Sequence, residues 1–381
     1  MWGNESDFAI WEQVIDDFEA THPDITVKFE PMEYGAFWTK VNTQLASNSA
    51  PDVIGMQFQS AELGRAGQLE PLDNLSADFD LIPENLLDVG QTEIDGETTT
   101  FALPWHFVGG TLYANTTAME EAGIEVPRED WTIDEFVDAA KAMTKDGQYG
   151  FTVPLGGSAV ALASAFGAQP VSDDGTTAMF DTEEMIEYKT WLRDLIYVDK
   201  VAPRPADLST TKDPFAVGTV AMKLDGTWLI PGFRDIQDFD WDIVANPVGK
   251  SEPKNYAGPD SISVTAASKK KEAALEFVQY VVFDPAAQEV ISATGASVLA
   301  DLISDPASIE RESQAGPSNY KYFVERATEN GTGWAFVPKF NEIVAAEMTG
   351  DYQIFESADS DVEAILKGVD KDVQAYLDSG K

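Results

Sequence analysis

The sequence predicts an α/β protein of two lobes. Its 381 residues are two to three times the usual ~150 residues of a domain. Segments with helical and strand periodicity alternate from the start of the chain, as in sheets covered by helices. No fixed-period repeat or low-complexity tether interrupts them.

The elements follow in order. Phe8, Trp11, Ile15 and Phe18 recur at helical spacing, with Ser6 or Asp7 as cap and His22-Pro23 as stop. Ile25, Val27 and Phe29 then alternate with polar residues, which predicts a strand. Phe37, Val41 and Leu45 mark a second helix, and Pro51-Asp52 leads into the apolar strand Val53-Ile54-Gly55-Met56. Thr132 and Glu135 form a capping box before a stripe of Phe136, Ala140 and Met143. Asp181 with Glu184 opens a helix carrying Met185, Tyr188, Leu192 and Leu195. Ala273, Ala274, Phe277, Val278 and Val281 build a helix ended at Asp284-Pro285, where a short helix begins with proline in its first turn. Ser360 and Glu363 box the last helix, with Val362, Ile365, Val369, Val373 and Tyr376 on its stripe.

Composition narrows the function. At 44% hydrophobic and 11% aromatic, the chain carries too much apolar surface to be disordered. Its net charge of −41 repels phosphate backbones and anionic membranes, which excludes nucleic acid as a partner class. The acids are spread along the chain, as expected of a protein kept soluble in high salt, and the main basic cluster is the short Lys269-Lys270-Lys271. Cysteine is absent and the histidines are His22 and His106, so thiolate zinc sites, disulfides and cysteine nucleophiles are excluded. No apolar run approaches ~18 residues and no leader precedes Trp2, so the chain is expected to be soluble, with any export signal outside it.

Enzyme signatures are broken. Gly156-Gly157-Ser158-Ala159-Val160 lacks the closing glycine of a nucleophile elbow. Gly331-Thr332-Gly333 lacks the third glycine of a dinucleotide loop. Asp173-Asp174-Gly175 lacks calcium-loop spacing. No catalytic residue, metal ligand or cofactor is assigned.

Several segments, in this order, resemble the extracellular solute-binding proteins of ABC importers, the family typified by maltose-binding protein. They are Trp11 to Phe18 with His22-Pro23-Asp24-Ile25-Thr26-Val27, then Lys40 to Val53, and Gly67-Gln68-Leu69-Glu70-Pro71-Leu72-Asp73. Phe101-Ala102-Leu103-Pro104, Leu112-Tyr113-Ala114-Asn115, Glu121-Ala122-Gly123-Ile124 and Trp131 to Phe136 continue the series. Phe215 to Met222, Asp225-Gly226-Thr227-Trp228 and Tyr256 to Phe277 complete it. The resemblance implies a type II periplasmic-binding-protein-like fold with a ligand cleft between lobes, residues 1–110 plus 260–310 forming one and 111–259 plus 311–381 the other. It implies chain crossings near Gly109 to Asn115, Gly258 to Val264 and Leu299 to Pro317. The ligand implied is a carbohydrate, an oligosaccharide foremost, and the partners are ABC permease subunits that read the closed form of a monomer. The location implied is extracytoplasmic, periplasmic or at the cell surface, with any lipid anchor in a leader this chain lacks. One departure stands out: the family's opening strand ends at residues matching Trp2-Gly3, and here it is almost wholly missing, which is expected to expose a sheet edge.

Sugar rings stack apolar faces on aromatic rings and need fixed polar groups around their rim. Trp11, Trp131, Trp191 and Trp241 sit on helical stripes or beside capping turns and are read as core. Trp38, Trp105, Trp228 and Trp334 lie in loop-like or element-terminal segments and are the stacking candidates, Trp228 foremost. Gln57 and Gln59 follow an apolar strand, at the end where open α/β sheets place ligands. His106 and Asp260 are further polar candidates, with Asn4 and Glu5 behind them, and Gly156 and Gly157 permit close backbone approach. Two other readings stay open: a secreted carbohydrate-active enzyme, or the same fold binding a polyamine, metal ion or phosphorylated polyol.

The charge yields a prediction of its own. Self-repulsion is screened over ~30 Å at 0.01 M salt but over ~3 Å at 1 M, and most of the 66 acids have no base to pair with among the 25 available. The melting temperature should climb between 0.01 M and 1 M sodium chloride at neutral pH. A flat or falling trend in thermal unfolding would show that the acidic surface is already neutralised.

Overall fold

A computed structural model describes residues 1–379 apart from 58, 95, 128–130, 157–159, 209–210 and 333–338. Its main strands are β1 (Val53–Met56), β2 (Leu103–Asn115), β3 (Met222–Gly226), β4 (Trp241–Val244) and β5 (Asn255–Val264). Its main helices are α1 (Glu5–Thr21), α2 (Tyr34–Ala46), α3 (Ile133–Met143), α4 (Glu183–Tyr197), α5 (Lys271–Phe283), α6 (Phe340–Ile354) and α7 (Val362–Ser379). The chain divides into two units, Met1–Val108 with Gly258–Glu310, and Gly109–Ala257 with Arg311–Lys381.

In the first unit, β1 pairs antiparallel with the second half of β5, from Val53 opposite Val264 to Met56 opposite Ser261. Ile54 and Met56 join Phe37, Trp38, Val41 and Leu45 of α2 in one apolar cluster. The α1 stripe is buried at Trp11, Val14, Ile15 and Phe18, and Phe18 meets Phe277 of α5 edge to face at 5.1 Å. Pairs of this geometry contribute about 0.5–1.5 kcal/mol beyond their buried area.

Residues 25–29 do not form the expected strand. The segment is extended but outside any ladder, because alternation makes a strand only where a neighbour supplies hydrogen bonds, and β1 pairs with β5 instead. Three helix caps also lie one or two residues from the sequence reading. Asn4, in a capping box with Asp7, caps α1; Thr182 caps α4; and Asp361 accepts the Ala364 N–H in the first turn of α7. The Thr132–Glu135 box stands as read.

In the second unit, β2 is flanked by β3 and β4, both antiparallel, with Leu112 opposite Leu224 on one side and Val244 on the other. Phe136 and Met143 of α3, Met185, Tyr188 and Leu192 of α4, and Leu366 and Val373 of α7 share its core. Trp131 is core as expected, its indole N–H donating to the Ala245 carbonyl at 2.8 Å.

That core also encloses a charge. Lys189 of α4 is fully buried, its Nζ 2.6 Å from Asp351 Oδ1 and 3.0 Å from Glu347 Oε1, one turn apart on α6. Burial opposes the ammonium, but Asp351 and Glu347 outweigh it and hold its pKa above the usual lysine value. Two carboxylates face one base. Burial pushes the Asp351 carboxyl up to about 6; Lys189 pulls against it, Glu347 adds to it, and the Gly156 N–H, 3.2 Å from Oδ2, pulls it down.

A folded-state pKa above the unfolded value stabilises the native state fully below about pH 4, and that stabilisation is lost as pH rises through about 6. Asp351→Asn removes this titration. The unfolding free energy of the wild type minus that of Asp351→Asn, from urea titrations, should fall by about 2 kcal/mol between pH 4 and pH 7.5. A constant difference would mean that Asp351 is ionised throughout.

Candidate functional site

The first unit gathers polar groups where β1, β2 and β5 come together. The register that sets Met56 opposite Ser261 brings Gln57 level with Asp260. His106, on the buried strand β2, places Nε2 2.8 Å from Asp260 Oδ2 and Nδ1 3.2 Å from Thr294 Oγ1. Thr294 Oγ1 also lies 3.0 Å from the Ile291 carbonyl, to which it donates. The second carboxylate oxygen of Asp260, Oδ1, is buried and has no hydrogen-bond partner among the described residues. A buried oxygen in that state costs about 1–3 kcal/mol or more, and a donor reaching it would recover that energy.

Two side chains missed in the sequence complete this cluster. Tyr34, at the start of α2, donates its hydroxyl to Gln57 Oε1 at 2.8 Å. Burial and then the negative charge of Asp260 raise its pKa above the usual tyrosine value, so it stays a neutral donor. Asp7, in the first turn of α1, has its pKa raised by burial; the Asn4 N–H and His106 act against that rise and Asp260 with it. Asp7 was legible only as a helix cap, and Tyr34 carried no motif.

Of the sequence candidates, Gln57, His106 and Asp260 converge here. Gln59 holds the turn, its Oε1 accepting the Gln57 N–H at 3.1 Å. Asn4 and Glu5 are exposed at the start of α1, and Asn4 serves as its cap. Trp38 and Trp105 are core residues at 6% and 5% exposure. Trp38 packs on Phe37 at 5.2 Å, and Trp105 lies between Trp11 at 4.7 Å and the face of His106 at 3.5 Å. Position beside a proline suggested an accessible ring at Trp105, but β2 continues through it and buries it.

In the second unit, Trp228 lies in the short helical turn Thr227–Leu229 that follows β3 and is half-buried. Its ring lies over Gly226: a Cβ there would stand 2.1 Å from the indole carbons, so only glycine fits beneath. Tyr113 of β2 donates to the Gly226 carbonyl at 2.7 Å, and the Gly226 N–H donates to Asp225 Oδ1 at 2.8 Å. Lys223 closes the strand's outer side by pairing with Asp213 and Asp225. Trp228 is therefore a flat ring on a pinned backbone. Gly156 has the positive φ of 59° that favours glycine and donates to Asp351. Gly157 and Trp334 lie outside the described residues. No cluster of metal-ligating side chains occurs among the described residues.

The chain is similar to known proteins along most of its length. Residues 2–288 match the family profile of bacterial extracellular solute-binding proteins. The putative ABC transporter periplasmic-binding protein YcjN of Escherichia coli is 28% identical over 289 residues, covering 72% of this chain and 65% of that relative's own length. The maltotriose-binding protein of Pyrococcus abyssi is 23% identical, covering 98% of this chain and 81% of that one. Among solved structures, an ABC substrate-binding protein of Listeria monocytogenes in complex with cycloalternan shares the fold with a TM-score of 0.86 at 21% identity, over 99% of this chain and 98% of that one. With a family match spanning three quarters of its residues, the chain belongs to the bacterial extracellular solute-binding proteins, and its fold is the two-lobed α/β fold of that group.

Proposed function

We propose that the protein captures a carbohydrate, in the oligosaccharide range, outside the cytoplasm and delivers it to the permease of an ABC importer. The observation that carries this reading is the pairing of chemistries within a solute-binding family member. A buried carboxylate oxygen awaits a donor at Asp260, and a pinned indole at Trp228 offers a flat face. Hydroxyl hydrogens suit the first and sugar C–H faces suit the second. Relatives named for maltotriose and arabinooligosaccharide binding support the ligand class. The catalytic alternative needs an acid and a base flanking a glycosidic bond; Asp260 is instead held by His106 on one oxygen, and capture without turnover is the reading adopted.

A thermal-shift screen against gluco- and arabino-oligosaccharides tests it, since a ligand raises apparent stability as RT ln(1 + [L]/Kd). At least one sugar should raise the melting temperature while releasing no reducing ends on long incubation. Stabilisation by none of them, or release of reducing ends, overturns the proposal. With the sugar found, Trp228→Ala should weaken its binding by about 2–4 kcal/mol in calorimetry while the apo protein still folds. Asp260→Asn keeps the shape but weakens the acceptor, and a loss of about 1–3 kcal/mol in affinity is expected. Unchanged affinity in either folded variant removes that residue from the site.

A further inference from the structure

The hydrogen bonds around His106 fix how many protons its ring shares. Thr294, in the short helical turn Ser292–Thr294, has a single hydroxyl hydrogen, and that hydrogen goes to the Ile291 carbonyl at 3.0 Å. Toward His106 Nδ1, 3.2 Å away, the hydroxyl can then only accept, so Nδ1 carries a proton. On the far side of the ring, Nε2 lies 2.8 Å from Asp260 Oδ2. A bare Nε2 and a carboxylate oxygen are both acceptors and would repel at that distance, so a second proton lies between them.

The surroundings place that second proton on the ring. Asp260 is buried, its Oδ1 has no hydrogen-bond partner, and among the described residues neither a lysine nor an arginine pairs with it. A buried carboxylate in that position needs a cation, and His106 is the base within reach. Asp7 of α1 brings a second carboxyl into the cluster, and its pKa responds to both His106 and Asp260. The ring also lies flat against the Trp105 indole, with centroids 3.5 Å apart and planes 10° apart, and the face of an indole attracts a cation.

We propose that Thr294 holds His106 as an imidazolium paired to the Asp260 carboxylate, and that this charge-matched pair biases the site toward hydroxyl donors and away from ammonium groups. Oδ1 of the matched pair accepts a hydroxyl hydrogen with no need of a counter-charge. A lone Asp260 carboxylate beside a neutral ring would instead attract a cation. Thr294 acts through the ring and is a positioning residue. The inference rests on the Asp260 cluster being part of a sugar site, and it narrows the ligand to neutral sugars as against polyamines.

Histidine occurs twice in the sequence, so His22→Gln leaves His106 as the sole histidine. Ring nitrogen-15 spectra of that ligand-free protein at neutral pH should show hydrogen on both nitrogens. Adding Thr294→Val should leave hydrogen on one, and Thr294→Ser in its place should restore both. A neutral ring in the His22→Gln protein overturns the proposal; this measurement needs no Thr294 variant to fold and no sugar, so its failure is distinct from failure of the sugar screen. An imidazolium that persists in folded Thr294→Val overturns the role of Thr294. Selectivity is read with spermidine, since the surface acids that also attract it are the same in both proteins. At equal spermidine the melting temperature of Thr294→Val should gain about 2–4 °C more than that of the wild type, as a roughly tenfold difference in affinity produces. Equal gains, none included, overturn the selectivity.

Discussion

Strand β2 is the constraint on which the candidate sites depend. All thirteen of its residues, Leu103 to Asn115, are buried, and a slip of one residue would turn every side chain to the opposite face and break its fitted packing. From that fixed strand His106 holds Asp260 in the first unit, and Tyr113 pins the Gly226 carbonyl beneath Trp228 in the second. In each unit the group is thus held by a residue of a buried strand rather than of a loop. Positioning on such an element is what lets a few polar groups be held ready before any ligand arrives.

Scarcity of bases shapes the electrostatics. With 25 lysines and arginines against 66 acids, those placed inside the second unit are each shared. Lys189 bridges Glu347 and Asp351, Lys223 bridges Asp213 and Asp225, and Arg234 reaches both Glu312 and the Gly316 carbonyl. Breaking such a buried pair leaves a charge with no compensation, at a cost of about 3–5 kcal/mol. The surface can be acidic because its charges are solvated; these three bases matter because three of the carboxylates they hold, Glu312, Glu347 and Asp351, are buried.

Much of the fold was legible because local chemistry and burial agree. The Thr132–Glu135 box, the proline opening the helix after Asp284, the stripe from Trp11 to Phe18 and the run Val53 to Met56 are signals carried by neighbours in sequence. The segment Ile25 to Phe29 failed for a reason outside itself: its alternation is real, but a strand needs a paired neighbour, and among the described residues no ladder runs along it. The site was half legible. Gln57 and Asp260 could be found from strand ends and glycine-proline turns, whereas Tyr34 enters the cluster through a contact across 23 residues that no spacing rule encodes. Trp38 and Trp105 show the limit of reading aromatic rings from loop-like flanks, since core packing claimed both.

The ring of Trp228 resting in the volume that a Cβ at position 226 would fill restricts how this protein can change over evolutionary time. Any side chain at 226 collides while the tryptophan is present, and becomes tolerable only after a smaller residue replaces it. The two positions are therefore epistatic in a fixed order: 228 must change before 226, and tryptophan can return only after 226 has reverted to glycine. A lineage that replaced this indole would have to take the two steps in that order and retrace them in the reverse one.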